Sequence, residues 1–269
     1  MQKQRKAMMI PLVLLLASCT PQREVAAPAA AATVATRRGD GVPRSRAGEL
    51  KVPDRLRFTS VGYVREADSW DARLETMTSS ERARLEALNA RYFGMLGFDS
   101  AEEQRKLAEA GFPMPEEWLA ADAMSDEALA TLAKANSPKG SIFYANRELD
   151  RFHEAKQQMI DAGQYRELDR SVMRPKVEAM VYAANALALT RSPFAAYLYG
   201  SVYEQLFGDP AYTAAAISVA GALGDKRAGD LAHEFAEGIR ARHAKPYEFE
   251  SMAIIESMMW RDVHRYRPL

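Results

Sequence analysis

Two histidines and a glutamate in the stretch HEFAEGIRARH, which begins at His233, come closest to the spacing of a zinc site. Helical zinc sites place two histidines four residues apart with a glutamate beside the first. Here Glu234 and His243 match an extended form of that pattern, but Glu237 replaces the middle histidine and Arg240 replaces the glycine of the turn. Without that glycine the helix continues, and His243 lies about 15 Å along it from His233. We interpret the stretch as an amphipathic helix and predict no metal site.

Glu256, in the stretch MAIIESMMW, is the second candidate for a catalytic residue. The stretch resembles the sequence around the catalytic glutamate of lytic transglycosylases, whose domain continues well beyond that residue. Only 12 residues follow Ser257 here. We interpret Glu256 as a polar position on a terminal helix that turns Ile255, Met259 and Trp260 inward. We predict no catalytic residue and no cofactor, although acidic pairs from distant helices cannot be recognised in a sequence.

Aromatic side chains are concentrated in PFAAYLYGSVYEQLF, which begins at Pro193. Tyrosine combines an apolar ring with a polar tip, and it is enriched where proteins bind one another. The rings are spread around the helix, so the same residues also fit a central core helix. We predict that Tyr197 and Tyr203, with Arg227 as a neighbouring charge, bind a protein partner.

Cys19 is the single cysteine of the 269 residues, and it closes the stretch LVLLLASC. A short basic segment and an apolar stretch precede it, and this order is typical of a secretory signal. The apolar stretch, Ala7 to Leu16, is shorter than the roughly 20 residues that span a bilayer. Leu16-Ala17-Ser18-Cys19 resembles the lipobox of bacterial lipoproteins. This resemblance implies that residues 1–18 are removed and that Cys19 carries the lipid.

The residue after the lipidated cysteine bears on the location of a bacterial lipoprotein. Aspartate there favours retention in the inner membrane, and this chain has Thr20. The resemblance therefore implies an outer-membrane lipoprotein facing the periplasm. Lipidation would use the only thiol, which excludes disulfides and cysteine-based sites from the mature chain. Charges are balanced at 36 basic and 36 acidic residues, so we expect no nucleic-acid partner.

Residues 19–53 differ in composition from the rest of the mature chain. After Cys19 they are rich in alanine, proline, glycine and arginine, and they contain no aromatic residue. Such a segment buries too little apolar surface to offset the entropy of ordering it. We predict a disordered N-terminal tether, followed by a helical periplasmic domain over residues 54–269. A short strand within 56–64 is one interpretation of LRFTSVGYV, and an extended segment lying on the first helices is the other.

Helix start signals recur through the rest of the chain. Thr78 to Glu81 and Ser100 to Glu103 have the spacing of a capping box, and Ser125 could cap a short helix. Ser192-Pro193 and Asp209-Pro210 each place a capping residue before proline at the first helical position. We predict about eight to ten antiparallel helices, with further helices near 141–162, 175–190 and 246–265.

The stretch 192–232 resembles one unit of the Sel-like branch of the tetratricopeptide family. Gly200 and Tyr203 match the first helix of that unit, Gly208-Asp209 match its turn, and small residues from Ala214 to Ala222 match its second helix. Small residues at such spacing let paired helices approach closely. The resemblance implies helical hairpins and, if repeated, a solenoid with a concave binding surface. Generic helical hairpins are the alternative, because only one unit is recognisable.

The sequence therefore predicts an all-α domain of antiparallel helical hairpins, with a short solenoid as one arrangement of them. We expect a membrane-anchored lipoprotein that binds another protein as a scaffold or adaptor. An immunity-type inhibitor of a toxin that reaches the periplasm is an alternative, and a cell-wall enzyme is a more remote one.

Overall fold

The structure is a computed structural model that describes residues 66–163, 170–241 and 246–265. For residues 234, 236–241, 246–250 and 265 it describes the backbone alone. The signal segment, Cys19, the tether, the segment 56–64 and His243 lie outside the described residues.

Every regular element of the described residues is a helix, which confirms the predicted all-α class. The first five helices are α1 (Trp70–Glu75), α2 (Ser79–Arg91), α3 (Ala101–Glu109), α4 (Pro115–Asp122) and α5 (Asp126–Lys134). Six more follow: α6 (Pro138–Asp161), α7 (Arg170–Thr190), α8 (Pro193–Phe207), α9 (Ala211–Ala222), α10 (Ala228–Ala241) and α11 (Pro246–Arg265). None of these helices is long and apolar enough to cross a membrane.

Side-chain caps start several helices where the sequence predicts them. The Thr78 hydroxyl accepts from the Glu81 N–H, and the Glu81 carboxylate accepts in return from the Thr78 N–H at 2.9 Å. Ser125 and Ser192 accept from the N–H three residues on, as N-cap residues do. Ser137 caps α6 in the same way, so this helix begins at Pro138, three residues earlier than predicted.

Two proline signals place helix boundaries incorrectly. Pro175 is predicted to open a helix, but α7 begins at Arg170 and carries Pro175 inside it. Because proline lacks a backbone N–H, α7 loses one of its own hydrogen bonds at this position. The second signal is off by one residue: α9 begins at Ala211, with Pro210 as its N-cap, and the Asp209 carboxylate accepts from the Ala211 N–H at 2.9 Å.

Helices α6 to α9 pack consecutively, and α11 packs on both α9 and α7. The contact of α11 with α7 goes beyond the neighbour-to-neighbour stacking of a solenoid. Aromatic rings of four elements meet at the centre of the core. Trp118 stacks on Tyr92 with ring centroids 5.8 Å apart and meets Phe143 and Phe194 edge-on at 4.9 Å and 6.1 Å.

Gly200 marks the closest approach of two helices, α8 and α9. A Cβ atom at this position would overlap the Cβ of Ala216 and lie 2.9 Å from the Tyr212 carbonyl oxygen. Small residues of the two helices therefore do meet, as their spacing in the sequence predicts. This packing fits a helical hairpin of any ancestry, so it does not bear on the resemblance to the repeat family.

Candidate functional site

Tyr197, which the sequence proposes as a partner-binding residue, lies in the core. Its side chain is fully buried, and its hydroxyl donates to Asp225 Oδ2 at 3.2 Å. Burial, and then the nearby Asp225 carboxylate, raises the pKa of the Tyr197 hydroxyl. The Tyr197 side chain therefore offers no exposed surface to a partner in this conformation. The alternative that the sequence left open, a core position, describes Tyr197.

Tyr203 lies at the margin of the core and belongs to an aromatic cluster. Its ring stacks on Tyr199 with centroids 4.1 Å apart, and Tyr212 and Phe207 lie 5.2 Å and 6.0 Å away. Burial raises the pKa of Tyr203. Tyr203 is partly buried, whereas Phe207 is 48% exposed. The cluster therefore reaches the surface through Phe207, which sequence reasoning did not select.

Arg227, the third proposed residue, holds three parts of the chain together. Its Nε and Nη2 donate to the two oxygens of Asp225 at 3.1 Å and 3.0 Å. Nη1 donates to the Gly97 carbonyl at 2.8 Å, and Nη2 also donates to the Met95 carbonyl at 3.1 Å. The guanidinium lines a small cleft of about 300 Å³, but the hydrogen bonds described above already engage its donors. The geometry accounts for Arg227 as a structural clamp.

Three apolar side chains form a stripe on the surface of α7. Met173, Val177 and Val181 are 37%, 49% and 49% exposed. Their four-residue spacing places them on one side of the helix. Lys176, which precedes Val177, holds its ammonium 4.4 Å from the centroid of the Phe207 ring and so links the stripe to α8. We call Met173, Val177, Val181 and Phe207 the α7 patch.

A polar cleft of about 750 Å³ lies beside the stripe, between α5, α6 and α7. Its α7 wall contains Arg170, Arg174 and Pro175, so α7 contributes both to the cleft and to the patch. Lys134 and Glu127 of α5 and Glu154 of α6 line the other walls. Apolar anchors beside charged groups reproduce the usual anatomy of a protein interface, in which a polar rim surrounds an apolar centre.

Two carboxylates that line the cleft are held by arginines. The Glu148 side chain is 2% exposed and accepts from Arg151 Nη1 at 2.6 Å. Arg151 also donates to Asp126, which pairs with Arg147 at 2.7 Å. A buried charge is costly unless such partners and hydrogen bonds compensate it. These interactions give the floor of the cleft a fixed arrangement.

Tyr144 links the two long helices of the cleft, because its hydroxyl donates to Glu178 Oε2. Burial and this bond raise the pKa of Tyr144. Burial alone would raise the pKa of Glu178, but hydrogen bonds from Tyr144 and Arg174 outweigh it and lower the pKa. A general acid must keep its proton near neutral pH. The pKa of Glu178 is shifted in the opposite direction, so Glu178 does not fit the role of a general acid.

The two candidate chemical stretches lie elsewhere. His233 is exposed on α10, and this helix runs on through Arg240 to Ala241, as the missing glycine predicts. Within the described ranges, no cluster of three or more histidine, cysteine or acidic residues could hold a metal ion. Glu256 of α11 accepts from the Ser218 hydroxyl at 3.2 Å, which joins α11 to α9.

No protein-family model, no curated protein and no solved structure matches this chain. The α7 patch is the feature that sequence reasoning missed. A signal exists, because the apolar residues at 173, 177 and 181 have helical spacing, but the spacing alone does not distinguish an exposed stripe from a core stripe.

Proposed function

We propose that this protein is a lipid-anchored lipoprotein of the bacterial outer membrane whose periplasmic helical domain binds another protein. The lipobox pattern at Cys19 supports the anchor. The α7 patch carries the binding role, because four large apolar side chains stay exposed although the domain has an extensive core. Exposed apolar surface of this kind marks interaction sites when it is contiguous and bordered by polar groups.

The patch also explains how a helix that lies mostly in the core can still contribute to binding. Phe207 lies at the end of α8, and Tyr203 and Tyr212 pack beside its ring. These contacts hold the Phe207 ring in place before a partner arrives. Preorganised aromatic anchors lose little conformational entropy on binding. Tyr203 then serves the interface by supporting Phe207.

The proposed partner can be identified in cells by placing a photo-crosslinking amino acid at position 177 of this protein. We expect a discrete crosslinked species that contains one protein, identified by mass spectrometry. The same amino acid in place of Glu86, which is exposed on α2, serves as the control and should give no such species. An envelope protein in the crosslink supports a scaffold or adaptor, and a toxin supports an inhibitor. Equal crosslinking from both positions, or none from 177, contradicts the proposed binding surface.

The anchor has its own test, which does not depend on the binding role. Cys19→Ala should abolish incorporation of an alkyne-labelled fatty acid and leave the uncleaved precursor, because the thiol is the acceptor of the lipid. Thr20→Ala is the matched control and should keep the label. Thr20→Asp should keep the label but move the protein to the inner-membrane fraction. Labelling of the Cys19→Ala variant contradicts the proposed anchor.

A further inference from the structure

We infer that the α7 patch docks an amphipathic helix of the partner, with carboxylates bordering the apolar stripe of that helix. This inference rests on the proposed protein-binding function and identifies the chemistry of the segment that is bound. It comes from three observations: the spacing of the exposed apolar side chains, the charges beside them and the groups that line the adjacent cleft.

The spacing of the stripe selects a helical partner segment. Met173 and Val181 are eight residues apart, which corresponds to about 12 Å along α7, or a little over two turns. Helices dock on one another through anchors repeated every three or four residues along such a stripe. A bound β-strand would need free backbone groups at a sheet edge, whereas the backbone of α7 is hydrogen-bonded within the helix. An amphipathic helix is therefore the kind of segment that fits the α7 patch.

The basic residues on α7 favour a partner helix whose apolar stripe is bordered by acidic residues. Arg170, Arg174 and Lys176 lie on α7 beside the stripe, and Glu178 is the one acidic residue of this helix. Glu178 is engaged by Tyr144 and by Arg174 Nε at 2.8 Å. The Arg174 side chain is nevertheless 75% exposed. Complementary charges steer association and fix the register of an interface, so carboxylates suit this rim.

The cleft favours a protein partner over an anionic membrane surface. Glu127 and Glu154 line it opposite the α7 wall, and anionic headgroups would meet these carboxylates as well as the basic residues. A folded partner can place carboxylates near α7 and uncharged or basic groups near Glu127 and Glu154. A uniform layer of anionic headgroups cannot make this distinction.

The test uses the full chain and two synthetic peptides of about 18 residues, long enough for several helical turns. Both carry leucines at three- and four-residue spacing, and their flanking residues are glutamates in one peptide and lysines in the other. We expect fluorescence anisotropy to show binding of the glutamate peptide and at least tenfold weaker binding of the lysine peptide. Val177→Asp should weaken binding of the glutamate peptide at least tenfold, because it places a charge in the apolar contact.

Two further variants separate the patch from general surface hydrophobicity. Ile254→Asp makes the same kind of change at a residue of α11 that is 62% exposed, and it should leave peptide binding unchanged. The double variant Arg170→Glu, Lys176→Glu, which also removes the contact of Lys176 with the Phe207 ring, should reverse the preference and favour the lysine peptide. Arg174 is kept in this variant because it holds Glu178. Circular dichroism of each variant checks that the fold is retained.

Several outcomes overturn the inference. Equal binding of the two peptides indicates unspecific apolar contact, and an unchanged preference in the double variant excludes the basic border. Absence of peptide binding, together with Val177-dependent binding to phosphatidylglycerol vesicles, indicates a membrane surface. A protein crosslinked from position 177 whose contact segment is neither helical nor acidic overturns the inference but leaves the proposed function in place.

Discussion

Asp225→Ala should lower the free energy of unfolding by about 2–4 kcal/mol, because it removes hydrogen bonds to a charged group and leaves a buried hydroxyl without its acceptor. The Asp225 side chain is 4% exposed and accepts from the Tyr197 hydroxyl and the Arg227 guanidinium. It also accepts from the Arg227 N–H at 3.0 Å. Alanine leaves a partly buried cation and a fully buried hydroxyl without this acceptor. Urea denaturation followed by circular dichroism measures the loss.

Asp230→Ala is the matched control, because Asp230 is an exposed aspartate in the first turn of α10. It loses only the interaction of a carboxylate with a helix N-terminus, worth below about 1 kcal/mol. Asp225→Asn keeps one acceptor oxygen and should fall between the two. Equal stability losses for Asp225→Ala and Asp230→Ala would contradict the assignment of Asp225 and Arg227 as a clamp.

Gly200→Ala should destabilise the protein by about 1–3 kcal/mol, although alanine is the better helix former. Its Cβ would overlap Ala216 and force α8 and α9 apart. Gly229→Ala, in α10, is the control: a Cβ there meets nothing within 4 Å, so it should stabilise the protein by roughly 0.5–1 kcal/mol. Chemical denaturation of both variants compares the two effects.

A double-mutant cycle identifies the cause of the Gly200→Ala effect. Ala216→Gly removes the side chain that the new Cβ would meet. Its own cost should be about 1–2 kcal/mol, from the lower helix propensity of glycine and the loss of a buried methyl group. The double variant should be more stable than the sum of the two single effects predicts, because each change relieves the other. Strict additivity would show that the contact with the Ala216 side chain does not cause the loss.

Local sequence signals predicted helix starts correctly where a few neighbouring residues determine the backbone structure. The caps at Thr78, Ser125 and Ser192 are hydrogen bonds between residues three apart, so their sequence spacing contains the required information. The continuation of α10 through Arg240 followed in the same way from a missing glycine. The prediction at Pro175 was wrong because proline locally favours a helix start, whereas α7 extends through it. This helix packs on α6 and α8, and such long-range packing is not contained in the local signal.

The exposure of individual side chains could not be predicted from such local signals. Tyr197 and Phe207 lie on one aromatic helix, yet Tyr197 is fully buried and Phe207 is half exposed. Phe93 and Phe112 pack against the Tyr197 ring and Asp225 binds its hydroxyl, whereas Phe207 lies at the end of α8. The difference therefore depends on contacts between residues far apart in the chain. The same holds for Arg227, because its acceptors at Met95 and Gly97 come from the other end of the domain.

The helical class, most helix starts and the small residues that let α8 and α9 approach could be predicted from the order of the amino acids alone. These properties arise from backbone propensity, capping and spacing within a few residues, which any helical segment carries with it. The folded arrangement was needed to see which aromatic side chains reach solvent, which charges pair and which apolar side chains of α7 stay exposed among the described residues. These properties depend on long-range packing, because burial and ion pairing are set by residues that the folded chain brings together.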